Sequence, residues 1–181
     1  MKYASIKKYD IANGRGVRVS LFVSGCPHCC KNCFNEEAWD FDYGFLFTDK
    51  EESSILEYLQ SSYIAGLSLL GGEPLYPTNQ EGLLPLLRKV KAQYPEKDIW
   101  CYTGYLFDKE IMEEMYQKSE VTREILSYID VLVDGRFIES KKDPRLYFRG
   151  SSNQRIIDVQ KSLKVGKVVE ICMEGEYINA K

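Results

Sequence analysis

The sequence predicts an α/β protein, a mostly parallel sheet curled into an open, partial TIM-like barrel. Three observations carry this expectation. Apolar strand-like runs alternate with helix-like stripes, the pattern of successive βαβ units. Crossovers between parallel strands keep one hand, so such units curl a sheet one way. The chain has 181 residues, whereas a full eight-fold barrel typically needs about 250, so only part of one can form. No repeat, linker or low-complexity tract divides the sequence, and residues 1–181 are expected to make a single domain.

The elements follow in order. Val17–Val23 (VRVSLFV) is apolar and β-branched, is bounded by Gly14, Gly16 and Gly25, and reads as a buried strand. A cysteine-rich loop over 24–36 comes directly after it. Thr48 and Glu51 have capping-box spacing, and Ile55, Leu56, Leu59 and Tyr63 form a helical stripe, which predicts a helix over Thr48–Tyr63. Gly66–Leu70 is a strand stopped by Gly71 and Gly72. Leu83–Tyr94 reads as a helix with Leu83, Leu84, Leu87 and Val90 in the core, provided that Pro85 lies in its first turn. Asp98–Gly104 is a strand, and Asp108 to Tyr128 is helical with a break near Ser119. Tyr128–Gly135 is a strand ending in a turn, and Arg136–Asn153 is polar and irregular. Arg155–Val159 and Lys167–Cys172 are short late strands, the first alternatively a docked extended segment. Ligands of such folds gather at the carboxyl ends of the strands. The cysteine loop, Gly71–Pro74, Thr103–Tyr105 and Asp134–Gly135 should therefore converge there.

Composition excludes several classes. A net charge of −3 leaves no basic excess for nucleic acid. No apolar run approaches the ~20 residues of a membrane span, and MKYASIKKYD lacks the apolar core of a secretory signal. A soluble, cytoplasmic protein without nucleic-acid or membrane partners is expected. Six cysteines are many for that compartment, where disulfides are rare. Four of them lie between Cys26 and Cys33 together with the single histidine, His28. Thiols clustered in this way point to metal or redox chemistry. Cys101 and Cys172 stand alone and read as small buried thiols in strands.

The cluster parses in two ways. Cys26–Cys29 and Cys30–Cys33 form two back-to-back C-x-x-C pairs, suited to a four-thiolate zinc or iron site in a binding module. Structural zinc sites usually separate their pairs further, and adjacent Cys29 and Cys30 tend to point apart. The alternative is C-x3-C-x2-C over Cys26, Cys30 and Cys33. Three thiolates hold three irons of a [4Fe–4S] cluster and leave the fourth open to a ligand.

The second parse, set directly after a strand and followed by Gly71–Pro74 (GGEP) at the end of the next, resembles the radical S-adenosylmethionine (SAM) superfamily. The segments NGRGVRVSLFVSGCPHCCKNCFN, GGEPL, WCYTGY, DVLVDGRF and FRGSSNQRIIDV occur in the order found in glycyl-radical-enzyme activating enzymes. Within these the chain is most similar to the small activating proteins of anaerobic (class III) ribonucleoside-triphosphate reductase. The resemblance covers about Asn13 to Val159. It implies a [4Fe–4S] cluster on Cys26, Cys30 and Cys33, with SAM on its open iron. It also implies that SAM is cleaved reductively and that the resulting radical takes hydrogen from a glycine of the reductase. A low-potential donor such as flavodoxin or ferredoxin would supply the electron. Gly71, Gly72, Glu73 and Pro74 would receive the methionine part of SAM, with Glu73 and the turn's carbonyls at its ammonium. Asn32, Cys33 and Phe34 would be cofactor-binding, with the Asn32 backbone and the Phe34 ring at the adenine. The chain departs from the superfamily in having Asn32, not an aromatic residue, before the third cysteine, and in carrying the extra thiol Cys29, which is given no ligand role. A pyruvate formate-lyase activase or a small radical SAM enzyme acting on a metabolite is the alternative within the superfamily.

Other polar residues are weaker candidates. His28 reads as shaping the turn or bonding near a sulfide. Asp134 suits ribose, an incoming partner loop or a plain turn before Gly135. Arg136, Arg145, Arg149 and Arg155 suit a partner's carboxylates, the SAM carboxylate or open solvent. Tyr102 and Tyr105 suit the pocket lining or the core.

Overall fold

A computed structural model describes residues 1–173. Seven strands form one sheet: β1 (Lys2–Asp10), β2 (Val17–Val23), β3 (Phe45–Leu46), β4 (Ile64–Gly71), β5 (Asp98–Tyr102), β6 (Val131–Asp134) and β7 (Arg155–Asp158). Their spatial order is β3-β1-β2-β4-β5-β6-β7. The central β2, β4, β5 and β6 are parallel, as the alternating pattern predicts. β1, β3 and β7 are antiparallel additions at the two edges. The sheet stays open.

The helices are α1 (Asp49–Leu59), α2 (Pro77–Gln93), a π-helical run (Phe107–Met115) that continues into α3 (Tyr116–Lys118), α4 (Glu120–Tyr128) and α5 (Val159–Val165). They pack on one face of the sheet. The odd-numbered residues of β2, β4 and β5 (Val19, Leu21, Leu67, Leu69, Ile99 and Cys101) point there, against Ile55, Leu59, Leu83, Leu87, Ile111 and Ile125. The opposite face carries Trp100, Val131, Val133 and Ile156, with Tyr102 and Phe148 against them. Single-faced helix packing is what crossovers of one hand produce.

The predicted strands β2, β4, β5 and β6 are all present, and Thr48 and Glu51 do form the capping box of α1. Four features differ from expectation. β1 pairs along β2 although its sequence, with three lysines, shows no apolar face. α2 begins at Pro77, which puts Pro85 inside the helix rather than in its first turn. Pro85 is solvent-exposed, so its ring displaces no core side chain and the helix loses one backbone donor there. After Arg155–Asp158 the chain turns into α5, capped by Asp158 at its start and by Gly166 with φ +71° after its end. Lys167–Cys172 is not a strand. It docks on β7 through Val169 O, Ile171 N and a bridge between Ile157 and Glu170, and Cys172 is exposed. Cys101 is fully buried as expected.

Candidate cluster and cofactor site

The cysteine loop leaves β2 at Ser24 and is pinned at both ends by backbone bonds. Gly25 N donates to Ala38 O (2.9 Å), Cys26 N to Trp39 O (3.1 Å) and Cys33 N to Cys30 O (3.0 Å). Cys29 and Asn32 take left-handed backbone (φ +45° and +57°), an uncommon conformation for residues with side chains and one that Asn tolerates well. The reversal at Cys29 turns its thiol outward. Cys29 is exposed, while Cys26, Cys30 and Cys33 are half-buried and line one cavity.

That cavity, of about 370 Å³, is within the usual range for small-ligand sites. Across it from the cysteines lies the turn after β4. Gly72 N donates to Val23 O (2.7 Å) and Glu73 N to Gly25 O (2.8 Å), so the turn is bonded directly to the root of the cysteine loop. Gly71 has φ +110°, which favours glycine. A Cβ on Gly72 would lie 2.4 Å from Gly25 O. The rest of the lining includes Asn13, Asn32, Phe34, Trp39, Tyr102, Thr103, Arg136, Phe137 and Arg149.

The residues fit a thiolate-bound cluster. Backbone N–H groups of His28 and Cys29 are directed at the Cys26 sulfur, and that of Phe137 at Cys30, as anionic sulfur requires. Burial pushes the free Cys26 thiol up to about 12 and also raises Cys30, so metal must displace protons to bind there. Among the described residues no three His, Cys, Asp or Glu side chains converge tightly enough for a single ion. A cubane, with one iron per thiolate, does not need them to. The cavity also holds buried polar atoms without protein partners, Trp39 Nε1 and Tyr102 Oη, which a bound polar ligand could satisfy. Burial raises the Tyr102 phenol and pushes that of Tyr105 up to about 12. Both therefore stay neutral donors at neutral pH.

Several predicted roles change. Glu73 is fully buried and its carboxylate is saturated. Oε1 accepts from Leu75 N (2.9 Å) and Thr103 Oγ1 (2.8 Å), and Oε2 from His28 Nε2 (2.8 Å) and Gly104 N (2.8 Å). With four donors in place it has no free lone pair directed at a ligand ammonium. Pro74 is buried behind the turn and does not line the cavity. Asp134, expected at the mouth, lies on the helix side, fully buried. It accepts from Phe107 N (2.8 Å) and Arg155 Nε (3.0 Å), so it fastens the start of the π-helical run and does not line the cavity. Arg155 also bridges to Asp108 (2.7 Å), which removes it from the surface arginines. Arg145 pairs with Asp143 (2.8 Å) away from the cavity. Asn32 and Phe34 stand at the cavity edge as expected. Asn32 Nδ2 donates to Glu139, and Phe34 is 81% exposed. Trp39 and Asn13 carry no motif in the sequence; Trp39 reaches the cavity from the end of the short helix over Glu36–Trp39, and Asn13 from the loop between β1 and β2.

An open, largely parallel sheet brings three cysteines and a glycine turn to one cavity, the donor set and setting of an iron–sulfur protein. In agreement, residues 12–157 match the family model described as a 4Fe-4S single cluster domain. Proteins of Haemophilus influenzae (46% identical over 158 residues, 86% of this chain and 97% of the relative), Enterobacteria phage T4 (44% over 156 residues, 86% and 93%) and Escherichia coli K12 (42% over 156 residues, 85% and 96%) are similar along almost their whole length. All three bear the name anaerobic ribonucleoside-triphosphate reductase-activating protein. The chain belongs to this family of activating proteins.

Proposed function

We propose that the protein activates an anaerobic ribonucleoside-triphosphate reductase by generating a glycyl radical on it, using a [4Fe–4S] cluster and SAM. The observation that carries this reading is the cavity in which Cys26, Cys30 and Cys33 face the Gly71–Gly72 turn, the two segments being joined by backbone bonds. When bound, the cluster and SAM supply reductive cleavage of the sulfonium and a carbon radical able to take hydrogen from glycine.

The chain's residues would do the rest. Cys26, Cys30 and Cys33 hold three irons, and Cys29, turned outward, holds none. Gly71 and Gly72 would receive the methionine ammonium on the turn's carbonyls, and their lack of side chains lets the turn pack directly on the backbone of Val23 and Gly25 at the root of the cysteine loop. The Asn32–Cys33–Phe34 segment flanks the adenine. Tyr102 and Trp39 offer hydrogen-bond donors to the ligand's polar groups. The whole chain acts as one radical SAM domain with its cluster loop over 24–36, a partial TIM-like barrel whose open side admits a glycine-bearing loop. Such a loop would cover Phe34 and exclude water. The electron comes from a donor such as flavodoxin or ferredoxin, and the setting is the cytoplasm. Among the described residues no helix is long and apolar enough to cross a membrane.

The test uses anaerobically reconstituted protein. Cys26→Ala, Cys30→Ala and Cys33→Ala should each lose iron, and Cys29→Ala should keep it. Mixed with SAM, reductant and the reductase, the wild type should produce a stable doublet in electron paramagnetic resonance, abolished by substitution of the reductase glycine. A radical formed only on pyruvate formate-lyase would overturn the choice of partner. Normal iron in Cys30→Ala with loss in Cys29→Ala would overturn the ligands.

A further inference from the structure

We infer that His28 is a positioning residue whose hydrogen bond to Glu73 latches the cysteine loop onto the glycine turn and holds Cys26 and Cys30 ready before metal arrives. The inference rests on the ligand reading above and adds to it what shapes the site in the metal-free chain.

The latch is built from both sides. His28 Nε2 donates to Glu73 Oε2 at 2.8 Å, with the two side chains only 4% and 1% exposed. The imidazole is wedged edge-on against Tyr105, centroids 4.5 Å apart at 74°. Room for it exists because residue 104 has no side chain; a Cβ on Gly104 would lie 2.3 Å from His28 Cδ2. Pro27 and Cys29 on either side are exposed, so the middle of the loop hangs on His28. Glu73 in turn ties three strand ends together. It is bonded to the loop after β2 through His28, to its own turn after β4 through Leu75 N, and to the segment after β5 through Thr103 and Gly104. Asn79 braces the same junction from α2, donating to Ser24 O (2.9 Å) and Glu73 O (3.0 Å). A carboxylate that is buried, saturated and shared by three loops is a geometric anchor. Ligating groups held in this way bind without first paying to order the loop.

The experiment measures each thiol in the reduced, metal-free protein by timed alkylation with iodoacetamide and peptide mass spectrometry. Buried Cys101 reports whether the fold is intact, and exposed Cys29 sets the fast limit. In His28→Ala, Cys26 and Cys30 should label about tenfold faster or more, the scale of one lost charge-assisted hydrogen bond, while Cys101 stays silent. His28→Gln, which can still donate to Glu73, should restore slow labelling. After reconstitution, His28→Ala should release iron to a chelator faster, and the reduced cluster's paramagnetic signal should respond differently to SAM. Unchanged Cys26 and Cys30 labelling in His28→Ala with Cys101 silent overturns the latch, as does failure of His28→Gln to restore. If the alanine variant exposes Cys101, the glutamine variant decides alone: wild-type rates support the latch and fast rates overturn it. Cys30→Ala separates the two levels. Iron loss there, with His28→Ala unaffected, sinks the latch and leaves the ligand set standing, whereas full iron there sinks the ligand set itself.

Discussion

Gly72 has so little room that its substitution tests two things at once. A side chain there meets Gly25 O at 2.4 Å and Ala38 O at 3.0 Å. These are backbone atoms at the root of the cysteine loop, and they cannot rotate away. Gly72→Ala should therefore lower stability by about 1–3 kcal/mol, the usual cost of overpacking, and should reduce iron content as well as SAM binding. Urea unfolding together with an iron assay checks this, and a stable, iron-replete variant would contradict it. At this scale sequence was informative where chemistry is local. The three-cysteine spacing and the glycines of the turn are contiguous signals, and the structure brings both segments to one cavity while Cys29 stays exposed. Glu73 was read differently because its donors come from residues 28, 75, 103 and 104. No window of sequence shows that those four meet on one carboxylate.

α2 carries an avoidable defect in its ninth position. Pro85 has no N–H to donate to Glu81 O and lies in the interior of a seventeen-residue helix. A helix-interior proline costs about 3 kcal/mol relative to alanine, of which the stiffer unfolded chain returns up to about 1 kcal/mol. Pro85→Ala, at an exposed position, should thus stabilise the protein by about 2 kcal/mol, read as a higher urea midpoint at unchanged slope. At the other end of the sheet, Asp134 is a buried carboxylate neutralised by Arg155, and Arg155→Met should cost about 3–5 kcal/mol by leaving that charge unpaired. Arg155 also holds the Asp108 carboxyl below its ordinary range through a hydrogen bond. A depressed carboxyl stabilises the fold above its unfolded value, near 3.9, and loses that contribution as pH falls through its folded value. Acid titration of stability should accordingly be shallower in Arg155→Met. Elements with strong periodicity or caps were legible: α1, β2, β4, β5 and β6. β1 was not, because a strand with three lysines and no apolar periodicity draws its order from pairing with β2 on one side and β3 on the other. α5 has only seven residues; its N-cap, Asp158, lies inside the run that reads as a strand, and its C-terminal glycine, Gly166, falls just before the next apolar run. The start of α2 was obscured because Pro85 looks like a first-turn residue.

The molecule as a whole divides its work between the two ends of the strands. The carboxyl ends carry the cavity. The amino ends are closed by a polar floor that no periodicity announces, built on Arg18, which is fully buried. Its guanidinium donates to Ser68 Oγ (2.7 Å), Leu67 O (2.9 Å), Arg15 O (3.1 Å) and both the carbonyl and the carboxylate of Asp98 (3.1 and 2.6 Å), and it lies 5.4 Å from the Trp100 ring centre. Burial pulls this guanidinium below its ordinary value, with Asp98 opposing. An open sheet lacks the hydrogen bonds that closure would give, and one side chain here binds β2, β4, β5 and the segment before β2 into a single unit. Arg18→Ala should therefore cost about 3–5 kcal/mol, since it strands acceptors and opens space beneath Trp100. Arg18→Met refills the volume without restoring donors. Because the Asp98 side chain is 40% exposed and water can reach it, the methionine variant should cost less, about 1–3 kcal/mol. The floor does not line the cavity, so iron content and SAM cleavage per folded molecule should stay at wild-type values in Arg18→Met. Urea unfolding and an iron assay on the folded fraction check both halves. A stable variant that loses iron would mean that the two ends of the sheet are coupled, and a stable variant that keeps it would mean that the floor contributes nothing.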